Sequence, residues 1–186
     1  MPAIHKLLVE GQQFVGKTTI ANNLARRYLT GNPFLFKLSG PSSGVDDKSF
    51  KCYMDDLLLD YAGLFRHIKS NSIICDKFHV SEQVYGKFYR GYEHDPEVVE
   101  AVESILHELG FRIVFLEMDD RLLEERLLLK EVEFQTTRDK LPPVKDQKEI
   151  KRLYEQYVKK SRLKVIKVDV TGKSVLQTIQ EVVEGL

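Results

Sequence analysis

The chain has 186 residues, and its 28 Lys plus Arg are matched by 28 Asp plus Glu, so its formal net charge is zero. That length suits one domain, 1–186, with a sizeable core, and the absence of a basic excess argues against a nucleic-acid polymer as partner. Two cysteines, Cys52 and Cys75, are too few for a disulfide framework, and no apolar stretch approaches the roughly 20 residues that cross a bilayer. With no charged-then-apolar leader at the N-terminus, the expectation is a cytoplasmic protein with no membrane partner.

Leu7, Leu8 and Val9 form a short apolar run that closes on Glu10, the pattern of a buried parallel strand. Gly11-Gln12-Gln13-Phe14-Val15-Gly16-Lys17-Thr18 follows and fits the phosphate-loop pattern G-x-x-x-x-G-K-[ST]. The two glycines let backbone N–H groups wrap around phosphate oxygens; Lys17 reaches the outer phosphates, and the Thr18 hydroxyl can ligate Mg²⁺. Thr19 continues into a helix, where Ile20, Ala21, Leu24, Ala25 and Tyr28 recur at helical spacing. The positive end of that helix adds to an anion site.

Four further strands are expected at 34–38, 72–75, 111–118 and 163–170. Helical patterns separate them at 55–69, 80–89, 96–109, 121–130, 147–161 and 174–183. Asp95 is a candidate cap, with Pro96 in the first turn behind it. Strands alternating with helices imply an α/β fold: a parallel sheet covered on both faces. The stretch 131–146 is polar, carries Pro142-Pro143 and lacks a helical period, so it is the expected mobile lid. Another loop is expected at 39–48.

Asp76 closes the run Ser72-Ile73-Ile74-Cys75 at the C-terminal edge of a central strand, where open α/β sheets bind ligands. There it either holds Mg²⁺ through water or caps the next helix. Glu10 orients or deprotonates an acceptor, binds Mg²⁺ water, or pairs with Lys6 or another base. Arg126 and Lys130 share one helix face; with Arg138 they can bring positive charge over transferring phosphates, or form a solvated face with Glu124 and Glu125. Lys37 and Lys77 are candidates for an acceptor anion. Phe78, Tyr53, Tyr61, Phe65 and Tyr85 are candidates for an aromatic wall or for core.

Glu10 through Thr19, then Asp76-Lys77-Phe78 with Ser81 and Tyr85, then Leu122 to Arg126 after a strand, together resemble the thymidylate kinase and deoxynucleoside kinase group of phosphate-loop kinases. The resemblance implies a three-layer α/β/α P-loop NTPase fold with a five-stranded parallel sheet and a basic lid, ATP and Mg²⁺ as cofactors, a nucleotide or nucleoside substrate, and often a homodimer. It aligns Asp76 with the Asp of an Asp-Arg-Tyr motif and Arg126 with the first arginine of the lid helix. Lys37 falls where an arginine follows the second strand, and Glu10 matches the general base of the deoxynucleoside kinase branch. Asp169-Val170-Thr171 is similar to the segment near adenine. Two departures stand out: Lys77 replaces an arginine, losing its planar fork, and an arginine expected near Leu64 is absent.

The resulting expectation is ATP-dependent transfer to a deoxynucleoside monophosphate, with Lys17, Arg126, Glu10 and Asp76 as the catalytic set. Gly11 through Thr19 would hold the donor, and Lys37, Lys77, Phe78 and Tyr85 the acceptor. A nucleoside kinase with Glu10 as base is the alternative within the same chemistry. A degenerate nucleotide-binding protein or switch is the alternative of another class.

Overall fold

The computed structural model describes residues 3–29, 32–38, 47–134 and 144–186. Five strands, β1 (Lys6–Gly11), β2 (Phe34–Lys37), β3 (Ile73–Asp76), β4 (Arg112–Glu117) and β5 (Lys164–Asp169), form one parallel sheet in the order β2-β3-β1-β4-β5. This order puts β1 at the centre. Its residues are buried from Leu7 to Gly11, because helices cover both faces and both sets of alternating side chains need an apolar neighbour.

The helices are α1 (Lys17–Asn23), α2 (Asp47–Phe65), α3 (His79–Tyr89), α4 (Pro96–Glu108), α5 (Asp120–Phe134), α6 (Val144–Lys160) and α7 (Val175–Glu184). On one face Leu8, Cys75, Ile113 and Phe115 pack against α2, α3, α4 and α6 through Phe65, Val84, Leu106 and Tyr154. On the other, Leu7, Val9, Ile74 and Val114 meet Ile20, Leu24, Leu127 and Ile179 of the remaining helices and the turn after α1. The result is the three-layer α/β/α arrangement that strand–helix alternation implied.

Local chemistry explains several helix ends. Asp95 caps α4, accepting from Glu97 N at 2.9 Å with Pro96 at the first position. Ser174 and Gln177 form a reciprocal capping box at α7. Helix α1 widens into a π-helical turn at Leu24–Tyr28, closed by Leu29 N donating to Leu24 O at 3.0 Å.

Three helices have ends that differ from expectation. Helix α2 starts at Asp47 and stops at Phe65 instead of spanning 55–69, because Phe50, Met54, Leu58, Ala62 and Phe65 already make a continuous buried stripe. Helix α5 continues to Phe134, through a stretch expected to be lid, and α6 begins at Val144 directly after Pro142-Pro143, a place where prolines favour a helix start. The core of the expected lid, with Arg138, lies outside the described residues, as does most of the 39–48 loop. Among the described residues no helix is long and apolar enough to cross a membrane.

Candidate active site

The C-terminal ends of β1 and β3 lie side by side, Val9 in register with Asp76, and the loop leaving β1 turns back over them. Gly11 has φ +141°, and a Cβ there would strike the Leu116 carbonyl oxygen of β4. Only glycine lets the loop leave the sheet this closely. Gly16, at φ +99°, takes the left-handed conformation that turns the chain into α1. Phe14 is also left-handed, at φ +62°, an arrangement that costs a non-glycine residue about 1–2 kcal/mol. Arg126 Nη1 of α5 reaches across and donates to Phe14 O at 3.1 Å, bracing the strained residue.

Lys17 is buried, and its Nζ donates to Gln12 O, curling the side chain back under the loop. Burial and the neighbouring Lys77 ammonium pull its pKa down to about 7, while Glu10 and Asp76 pull the other way. A desolvated ammonium that also feels a second cation favours an anionic ligand at this end of the loop.

Thr18 Oγ1 donates to Asp76 Oδ2 at 2.6 Å, joining the glycine loop to β3. Asp76 is buried, and its Oδ1 has no hydrogen-bond partner among the described residues. It does not cap α3. One hydroxyl and one carboxylate with a spare buried oxygen form a hard-oxygen donor set suited to Mg²⁺.

Glu10 caps α3 instead. The helix has no side-chain cap of its own at Phe78; Glu10 Oε1 accepts from Phe78 N at 2.9 Å and Oε2 from Ser81 N at 3.2 Å and from Ser81 Oγ. These are orphan donors of the helix start, satisfied by a carboxylate from β1. Burial raises the Glu10 carboxyl above its ordinary pKa, opposed first by the Ser81 hydrogen bond. The expected alternative pairing with Lys6 does not occur.

Helix α6 also joins the site, through residues the sequence did not single out. Gln12 Nε2 donates to Gln147 O at 2.9 Å, and the Tyr154 hydroxyl lies 2.9 Å from Ser81 Oγ. Nothing in a 135-residue separation between two glutamines marks such a contact in advance.

Two cavities flank the loop. One of about 310 Å³ lies beside α3 and is lined by Gln13, Leu38, Lys77, Phe78, Ser81 and Tyr85 among others. Lys37 ends β2 in register with Asp76 and lines a small slot next door with Lys77 and Phe78. The other, about 130 Å³, is bounded by Gly16, Thr19, Arg126, Val170 and Lys173. Of the expected aromatic wall, Phe78 and Tyr85 face the larger cavity. Phe65 belongs to the core, Tyr61 packs on Phe65 and Phe36, and Tyr53 lies at the surface against Phe50. The side chain of Lys130 lies outside the described set.

No protein-family model and no curated protein matches the chain. Solved structures do match. YorR protein from Bacillus subtilis, in complex with phosphorylated GDP, superposes with a TM-score of 0.68 at 20% identity, covering 96% of this chain and 94% of that one. Deoxyadenosine kinase from M. mycoides, with products dCMP and dCDP bound, gives 0.63 at 14% identity over 97% of both chains. Thymidylate kinase from Ehrlichia chaffeensis gives 0.61 at 16% identity over 99% of both. The fold is that of the P-loop nucleotide and deoxynucleoside kinases.

Proposed function

We propose that the protein transfers the terminal phosphoryl group of ATP to the phosphate of a deoxynucleoside monophosphate, in the manner of the thymidylate kinases. The observation that carries this reading is the placement of Lys77 in the wall of the larger cavity, with a second lysine in the adjoining slot. Lys77 lines that cavity and perturbs the buried Lys17 on its donor side, and Lys37 stands beside it. An acceptor with its own phosphate brings an anion to these cations; a nucleoside does not.

The donor lies over the loop, its phosphates against the backbone N–H groups of Gly11 through Thr18 and the Lys17 ammonium. Its base occupies the smaller cavity by Gly16, Thr19 and Val170, the side on which Arg126 stands. Thr18 and Asp76 would hold Mg²⁺, which when bound neutralises charge on the phosphates. Transfer forms a bond from an acceptor phosphate oxygen to the γ-phosphorus and breaks the bridging bond to the β-phosphate, releasing ADP and a nucleoside diphosphate. The attacking oxygen is already ionised at neutral pH, so no base is required. Glu10, whose two oxygens are engaged by α3, is then free of any proton-transfer duty.

Calorimetric binding tests the reading at its foundation. A deoxynucleoside monophosphate should bind at least tenfold more tightly than its nucleoside, and Lys77→Ala should erase most of that difference. Equal affinity for the two would overturn the acceptor assignment and favour a nucleoside kinase.

A further inference from the structure

Lys77, directly after β3, is a non-glycine residue in the left-handed region, at φ +71°. That conformation is costly for any residue with a Cβ and persists only where the surroundings impose it. Here the peptide N–H groups on both sides of the strained Cα are tied to β1: Lys77 N donates to Val9 O at 3.1 Å, and Phe78 N to Glu10 Oε1 at 2.9 Å. Glu10 is thus the side chain that pins the turn. The pinned turn sets how the Lys77 side chain leaves the backbone, into the wall of the larger cavity.

Glu10 is itself aimed by a chain of hydroxyls. It is fully buried, and its Oε2 accepts from the backbone N–H and the hydroxyl of Ser81. A serine hydroxyl carries one proton. With that proton on Glu10, the 2.9 Å contact between Ser81 Oγ and the Tyr154 hydroxyl has the tyrosine as donor. Tyr154 comes from α6 and is fully buried, its ring stacked on Phe115 of β4 at 6.1 Å between centroids and met edge-on by Tyr85 at 6.1 Å. Phenylalanine would fill that space as well, so packing does not call for the hydroxyl. What the hydroxyl adds is a bond that keeps Ser81 from turning away from Glu10.

We infer that Tyr154 is a positioning residue for phosphoryl transfer: acting through Ser81 and Glu10, it holds the strained turn that presents the Lys77 ammonium to the acceptor's phosphate. Tyr154 lines neither cavity beside the loop, so its route to the acceptor is this chain of hydrogen bonds. Helix α6 thereby acts on the acceptor side from a buried position 73 residues away from Ser81. The inference rests on the acceptor reading of the larger cavity and adds to it a residue that touches no substrate.

Steady-state kinetics with ATP and the best deoxynucleoside monophosphate compare wild type, Tyr154→Phe, Lys77→Ala and the double variant. Losing one hydrogen bond of the chain should raise the acceptor KM of Tyr154→Phe by about 3- to 10-fold, with the ATP KM unchanged. In the Lys77→Ala background, where no ammonium is left to position, the same substitution should raise it no further; that non-additivity is the signature of action through Lys77. Ser81→Ala cuts the chain one link nearer to Glu10 and should give the same rise and the same non-additivity, so it carries the test if Tyr154→Phe does not fold. An acceptor KM unchanged in Tyr154→Phe, or raised by the same factor with and without Lys77, would overturn the inference. The acceptor reading survives that result, because Lys77→Ala alone still raises the acceptor KM. If Lys77→Ala leaves that KM at the wild-type value, or if no monophosphate is turned over, the acceptor reading fails and the inference falls with it.

Discussion

Lys17 and Glu10 are buried charges at the same strand end, and they make opposite demands on the fold. The Lys17 ammonium is disfavoured by burial and by Lys77, and among the described residues it donates to a backbone carbonyl of its own loop. Lys17→Met keeps the aliphatic stem and removes the disfavoured charge. Its melting temperature should be no lower than that of wild type, while phosphoryl transfer falls by about 100-fold or more. Glu10 satisfies three donors at the start of α3, so Glu10→Gln turns an N–H toward one of them. Charged hydrogen bonds of this kind are worth about 1.5–3 kcal/mol. Denaturant unfolding should show a loss of that order; unchanged stability with crippled turnover would return Glu10 to the role of base.

Among the elements, the helices that cap themselves are the ones whose starts the sequence announces. Ser174 and Gln177 stand three apart before an apolar stripe, and the capping box forms; Ser174→Ala should cost about 1 kcal/mol, read as a small fall in denaturation midpoint. Helix α3 is the counter-example. Its first residues carry no cap of their own, and the carboxylate that replaces one comes from β1, 68 residues away. The strand Ile73–Asp76 and the loop from Gly11 are legible because period and glycine spacing are local properties. The tie from Gln12 to Gln147 and the cluster of Glu82, Arg90 and Tyr92 are set by packing of elements distant in sequence or by a turn after a helix, and no short-range pattern encodes them. The early start of α2 went unread because its apolar stripe begins inside a segment rich in glycine, serine and charge.

Over the whole molecule, the parallel order of the sheet gathers the glycine loop, Asp76, Lys37 and the start of α3 along one edge, with a cavity on each side of the loop. The polar ties Thr18–Asp76, Glu10–α3 and Gln12–Gln147 join that edge into one unit, so the two cavities share a frame. That arrangement supports a two-substrate transfer more directly than a binding switch, which needs only one of the two cavities. The measurement that tests this most directly is product analysis after incubating the protein with ATP, Mg²⁺ and, separately, each deoxynucleoside and deoxynucleoside monophosphate. The account predicts ADP and a deoxynucleoside diphosphate from at least one monophosphate and no monophosphate formed from any nucleoside. Phosphorylation of nucleosides alone, or nucleotide binding without product from any acceptor, would contradict it.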